Sequence, residues 1–170
     1  MSENWLKYTL FFVAIGLLQI WILNRVHLFG FATPLFYVYF ILKLPADMGR
    51  NSLLFIAALL GLIIDCFSYT FGINMLACTI MGFSRHYALN YFAPRDTAGS
   101  FVPSVETFGL PLFIRYLAVL IIIHHTVLFV IESFSFFNLS TLMLRIVGSF
   151  ILTSLLIFGT EQFKIDFLKK

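Results

Sequence analysis

The chain has 170 residues and a formal net charge of +3; 61% of the residues are hydrophobic and only 11% are charged. Soluble domains carry about 25% charged residues, so a soluble enzyme is excluded, and so is disorder, which needs low hydrophobicity and high charge. Its apolar runs are continuous rather than alternating, which argues against a porin-like barrel; at roughly 20 residues per crossing the length holds five to seven spans and no separate soluble domain.

The first predicted span covers about residues 5–23. Tyr8 to Asn24 is 17 residues without a charge, and Trp5, Tyr8 and Trp21 lie near its ends as interfacial anchors. No small-x-small cleavage pattern follows closely, so this stretch reads as a retained span rather than a signal peptide. Gln19 is a lone amide expected to make an interhelical hydrogen bond. The second span covers about 28–44. Thr33-Pro34 has the form of a helix start, a capping hydroxyl before proline at the first helical position. From Pro34 to Leu44 there are only 11 residues, about 16 Å of helix. The segment therefore spans if it begins near Leu28, and is re-entrant otherwise.

The third and fourth spans, about 52–69 and 72–92, are joined by the tight turn Tyr69-Thr70-Phe71-Gly72. The longest polar segment follows, Ala93 to Gly109, with Pro94, Arg95, Asp96, Gly99, Pro103 and Glu106. Spans five and six cover about 110–132 and 139–160, and the charged tail Glu161 to Lys170 reads as an extension of the last span lying at the interface. The expected architecture is an all-α integral membrane protein, one compact bundle of about six transmembrane helices, or five if the Pro34 segment is re-entrant.

Basic residues orient such a bundle. With six spans, Lys7, Lys43, Arg50, Arg85, Arg95, Arg115, Lys164, Lys169 and Lys170 fall on the cytoplasmic side, Arg25 alone falls outside, and Arg145 lies within the membrane. A five-span arrangement exchanges Arg25 and Lys7 and scores the same. The C-terminus is thus expected in the cytoplasm on either count, and the N-terminus with it in the six-span arrangement.

Charges at membrane depth are costly and are functional candidates by default. Asp65 shares one helix face with Ala57 and Gly61, small residues that let another helix approach. Arg145 lies at a similar depth on the last span, which predicts an Asp65–Arg145 pair; the alternative is Arg145 with Glu132. Asn74, Cys78, Gly82 and Arg85 form a comparable stripe, read as close packing with Arg85 reaching the cytoplasmic interface. His124 and His125 point about 100° apart on a helix, so they do not share a metal site; one is expected to line the core with Ala118 and Ile122. Cys66 and Cys78 read as small packing residues. No zinc-protease, P-loop or nucleophile-elbow motif is present. The expectation is therefore no catalytic residue, metal or cofactor, and no nucleic-acid surface.

Pro34 at the head of the second apolar segment, the stretch Leu59-Leu60-Gly61-Leu62-Ile63-Ile64-Asp65, and Gly72-Ile73-Asn74-Met75-Leu76 opening the next span resemble the MreD family of bacterial rod shape-determining membrane proteins. The resemblance covers nearly the whole length. The chain departs from it in its 22 phenylalanines and in the outer turn Phe134-Ser135-Phe136-Phe137. The resemblance implies a non-enzymatic inner-membrane scaffold of the cell-elongation, peptidoglycan-synthesising complex. It also implies a single-span MreC-like partner, a wall-synthesis glycosyltransferase and transpeptidase nearby, and a fold similar to the substrate-binding subunits of energy-coupling-factor transporters. Its interaction candidates are Asp65, Arg145, Gly61, Gly72, Asn74, Pro34 and Glu132. The competing reading is a small-molecule-binding subunit of such a vitamin transporter, with an outer pocket supplied by Asp65, Arg145, Gln19, Asn74 and Glu132.

Overall fold

The computed structural model describes residues 2–28, 30–94, 101–133 and 138–168, with side chains omitted for 2–5 and 164–168. Seven helices follow in order: α1 (Ser2–Trp21), α2 (Val38–Leu42), α3 (Arg50–Ser68), α4 (Ile73–Phe92), α5 (Val105–Phe108), α6 (Leu110–Ser133) and α7 (Leu139–Leu168). Among the described residues there is no strand; a single antiparallel bridge joins Leu28 and Ala32. Among the described residues, four helical stretches are long and apolar enough to cross a membrane: Leu6–Arg25, Arg50–Ser68, Leu110–Ser133 and Leu139–Phe163. The protein is therefore an all-helical membrane bundle.

The long helices pack in sequence, α1 on α3, α3 on α4, α4 on α6 and α6 on α7. Helices α3, α4, α6 and α7 alternate in direction and α1 runs parallel to α3, so the bundle has two ends. The end of α3 that carries Asp65 also holds the close of α1, through a hydrogen bond from Asn24 Nδ2 to Ser68 Oγ (2.9 Å). We call it the Asp65 end; the opposite one, where Lys43 meets Glu161 (2.7 Å), is the Lys43 end. Helix α7 has 30 residues, about 45 Å, so it outreaches a hydrocarbon core of about 30 Å and carries the tail as a continuation of the last span.

The 28–44 segment is not a helix of spanning length. Only Val38–Leu42 winds into α2, and Leu35 to Leu44 are all buried at 7% exposure or less. The helix start expected at Thr33-Pro34 does not form, and the physical reason lies in the neighbours. Thr33 N–H donates to Ser149 Oγ (3.0 Å), Leu35 N–H to Thr153 Oγ1 (3.0 Å) and Tyr37 N–H to Gln19 Oε1 (3.3 Å). Donors that would have to be capped or wound into a helix are taken by side chains of α1 and α7. The chain passes from Ser149 to Glu161 along α7, about 18 Å, through the middle of the bundle. Non-helical backbone at such depth is tolerated only where protein surrounds it.

The α3–α4 hairpin is the tightest contact. Ala57, Gly61 and Asp65 are buried on one face, as their spacing predicts, and so are Asn74, Cys78, Gly82 and Arg85. A Cβ on Gly61 would lie 2.5 Å from Asn74 O and from Met75 Cα, so only hydrogen fits there. Tyr69 ends α3 in the left-handed conformation (φ 56°), and Gly72 (φ 76°) opens α4 from the same region, where glycine carries no steric cost.

Gly61→Ala is expected to lower stability by about 1–3 kcal/mol, the cost of forcing atoms into a filled contact, whereas Gly159→Ala, whose Cβ meets nothing within 4 Å, leaves it unchanged or raised. Thermal unfolding of both variants in detergent provides the comparison.

Candidate functional site

The buried polar residues form two groups around the internal segment. At the Asp65 end, the Asp65 carboxylate is 2% exposed and receives four donors: Thr70 Oγ1 (2.5 Å), Asn74 N (3.0 Å) and Asn74 Nδ2 (2.9 Å) on Oδ1, and Met75 N (2.8 Å) on Oδ2. It therefore caps the first turn of α4 from the neighbouring helix, where the orphan N–H groups and the positive end of the helix dipole favour an anion. The network continues inward. Tyr37 donates its hydroxyl proton to Asn74 Oδ1 (2.7 Å) and accepts from His124 Nε2 (3.1 Å). Cys78 Sγ lies 3.8 Å from the same nitrogen. Among the described residues, His124 Nδ1 and Ser154 Oγ are buried with no hydrogen-bond partner.

His125 faces away from this group. Its Nδ1 donates to Ile121 O (2.9 Å), so Nε2 accepts the Thr153 hydroxyl (3.2 Å) that holds Leu35. Both histidines are fully buried, while Ile122 is 46% exposed. The expected arrangement of one histidine in the core beside Ile122 is thus corrected: Leu120, Ile121, His124 and His125 line the core, and Ile122 faces outward.

At the Lys43 end, Lys43 Nζ pairs with Glu161 Oε1 and donates to Pro103 O (2.9 Å); Tyr39 donates its hydroxyl to the same carboxylate. Side-chain exposures of 8% and 4% make this a buried ion pair. Arg85, 1% exposed, donates from Nε to Tyr116 Oη (3.1 Å), from Nη2 to Leu44 O and from Nη1 to Pro45 O (3.5 Å), and Tyr116 donates to Leu42 O (3.2 Å). The guanidinium thus binds the carbonyls of Leu44 and Pro45 just beyond α2, and the Tyr116 hydroxyl caps α2 itself at Leu42 O. Lys43 and Arg85, read from sequence as cytoplasmic charges, are internal.

Of the residues singled out by sequence, the structure brings together Gly61, Asp65, Gly72 and Asn74, and places Pro34 on the internal segment with its carbonyl accepting from Gln19 Nε2 (2.9 Å). It does not bring Arg145 to Asp65. Arg145 Nη2 bonds Glu132 Oε1 at 2.6 Å and lies over the Phe129 ring at 5.0 Å, on a surface where the two side chains are 31% and 37% exposed. Asp65 takes neutral donors at a helix terminus and needs no cation. Tyr37, Tyr39, Tyr116 and Glu161 were missed, although Lys43 and Glu161, each standing alone at the edge of an apolar run, carried a signal as complementary charges. Phe134 to Phe137, Arg95, Lys169 and Lys170 lie outside the described residues. Among the described residues no group of three or more His, Cys, Asp or Glu is placed to hold a metal ion.

No protein-family model, curated protein or solved structure matches the chain.

Charge exchange separates these pairings. Glu132→Arg with Arg145→Glu is expected to keep stability within about 1 kcal/mol of the parent, while Asp65→Arg with Arg145→Asp is no better folded than Asp65→Arg alone. Lys43→Met is expected to cost about 3–5 kcal/mol by stranding Glu161, and the added change Glu161→Leu to recover most of it. Urea or thermal unfolding in detergent measures each.

Proposed function

We propose that this chain is a non-enzymatic scaffold subunit of the bacterial cell-elongation machinery, an MreD-like protein of the inner membrane. In this reading it binds a single-span MreC-like protein and helps to position a wall-synthesis glycosyltransferase and its transpeptidase. The observation that carries the reading is the fate of the polar side chains. Gln19, Asp65 and Asn74, which a ligand pocket would have to present, are bonded to the chain's own backbone and to one another, and Arg145 and Glu132 bond each other on the outer surface. A small-molecule site needs several convergent polar groups free for the ligand. A scaffold needs a rigid body with apolar faces, and this arrangement supplies one. The four residues of the glycine–aspartate–glycine–asparagine pattern that carry the resemblance act as one unit, the α3–α4 contact and its cap.

The reading includes six crossings with both termini in the cytoplasm, in a transporter-subunit-like arrangement. Two features support that count. Helix α4 has 20 residues, about 30 Å, and packs between α3 and α6 along its length. The internal segment travels the same way as α7, from the Asp65 end to the Lys43 end, as its bonds to Ser149, Thr153 and Glu161 follow in order. It thereby provides the second crossing without a long helix. Lys7, Arg50 and Arg115 are exposed at the Lys43 end, which agrees with a cytoplasmic placement of that end.

Reporter fusions at the two termini are expected to give the same, cytoplasmic signal; a periplasmic signal at the N-terminus overturns the six-crossing arrangement. Depletion in a rod-shaped bacterial host is expected to give rounded cells, and affinity purification to carry a single-span coiled-coil protein through detergent. Normal shape and wall synthesis without the protein would sink the elongation role, and a co-purified vitamin-sized ligand would favour the transporter role.

A further inference from the structure

The outward face of α4 changes character along its length. Met75 and Leu76 are exposed near the Asp65 end, but Phe83, Tyr87 and Tyr91, spaced at i, i+4 and i+8, are exposed by 42%, 56% and 82% toward the Lys43 end. His86 and Asn90 are exposed on the adjoining stripe, with Asn90 Nδ2 and His86 Nε2 3.4 Å apart. The outward faces of α6 and α7 are aliphatic by contrast, with Ile114, Val119 and Ile122 on one and Val147, Ile151 and Leu155 on the other. Tyrosine-rich stripes belong at membrane interfaces, where one end of the side chain is apolar and the other wet.

Arg50, the first residue of α3, lies against this stripe with its guanidinium 4.4 Å from the centre of the Phe83 ring. Arg50 is exposed, and among the described residues it forms neither an ion pair nor a hydrogen bond. Glu106 is an exposed acid on the short helix at this end, and among the described residues no ion pair joins it to Arg50. Stacking on the ring fixes the plane of the guanidinium and leaves its N–H fork free. Such a fork matches the oxygens of a phosphate. Arg50 also opens a helix of membrane-crossing length, which places the fork at headgroup level.

We propose that Arg50, Phe83, His86 and Asn90 form a binding site for the phosphate headgroup of an anionic phospholipid in the leaflet at the Lys43 end. The guanidinium takes the phosphodiester, the His86 and Asn90 side chains contribute ring and amide N–H groups beside it, and Tyr87 and Tyr91 continue the stripe outward on the headgroup side. The site requires insertion in a membrane and stands independently of the elongation role. A guanidinium held directly against a lipid phosphate by charge-assisted hydrogen bonds shifts binding by about fivefold.

The test uses the full chain reconstituted into vesicles of equal dioleoyl-phosphatidylglycerol and dioleoyl-phosphatidylcholine, extracted into detergent, with retained lipids counted by native mass spectrometry. Phosphatidylglycerol is expected to be enriched on the parent protein. Arg50→Gln lowers that enrichment about fivefold, Arg50→Lys keeps part of it, and Arg115→Gln, an exposed cation at the same end, leaves it unchanged. Where Arg50→Gln fails to fold, Phe83→Leu is read in its place with the same expected loss. Unchanged enrichment in Arg50→Gln or Phe83→Leu, or an equal loss in Arg115→Gln, overturns the site. Displacement of the retained lipid by inorganic phosphate overturns the assignment to a lipid.

Discussion

A peptide group in the middle of a membrane bundle must find its hydrogen bond inside the protein, and the N–H groups of Thr33, Leu35 and Tyr37 find theirs on side chains of other helices. Water is absent there, and an unsatisfied group costs several kcal/mol. The rest of the bundle is arranged around that need. Gln19 on α1, and Ser149 and Thr153 on α7, are aimed at the segment's N–H and C=O groups, while Tyr116 on α6 caps α2 at Leu42 O and Arg85 on α4 holds the Leu44 carbonyl beyond it. Each surrounding long helix except α3 gives a polar side chain to the internal segment, and α3 is tied in through Asp65, Asn74 and Tyr37. The polar residues that look functional in a greasy sequence are therefore the means by which an irregular backbone is kept in the core.

Charge placement obeys the same logic. Lys43 and Glu161 neutralise each other at 2.7 Å, whereas Asp65 and Arg85 are buried without an opposite charge in the ion pairs described. The carboxylate sits at the N–H end of α4, a helix terminus of complementary polarity, while the guanidinium is held by the carbonyls of Leu44 and Pro45 and by the Tyr116 hydroxyl. Helix-end dipoles offset part of the desolvation cost. Removing Asp65 strands the start of α4 and removing Arg85 strands the Leu44 and Pro45 carbonyls, so these charges behave as fold determinants. A body fixed in this way from within leaves its outer faces free to meet lipid and partner helices, which is the physical basis for reading it as a scaffold.

Much of the α3–α4 contact was legible before any coordinates. Ala57, Gly61 and Asp65 at helical spacing, and Asn74, Cys78, Gly82 and Arg85 on the next span, predict two small-residue faces that pack together, because helix periodicity alone decides which residues share a face. The separation of His124 from His125 followed from the same geometry. The partner of Asp65 did not, since a depth match between two charges ignores neutral donors, and Thr70, Asn74 and the α4 N-terminus provide those at closer range. The burial of Arg85 and Lys43 was not legible for a related reason: a charge near the end of an apolar run is compatible with snorkelling to water and equally with bonding buried carbonyls and carboxylates at the same end.

By itself the sequence determined that the chain is a membrane bundle, where its long helices run, and which faces of α3 and α4 meet, because hydropathy and a 3.6-residue period are local properties. Only the tertiary structure decided that residues 28–44 pass through the core without a long helix, that Asp65 caps α4, and that Arg145 belongs to Glu132. Each of these depends on which side chains arrive from elsewhere in the chain to satisfy a buried polar group, and no local pattern encodes that arrival.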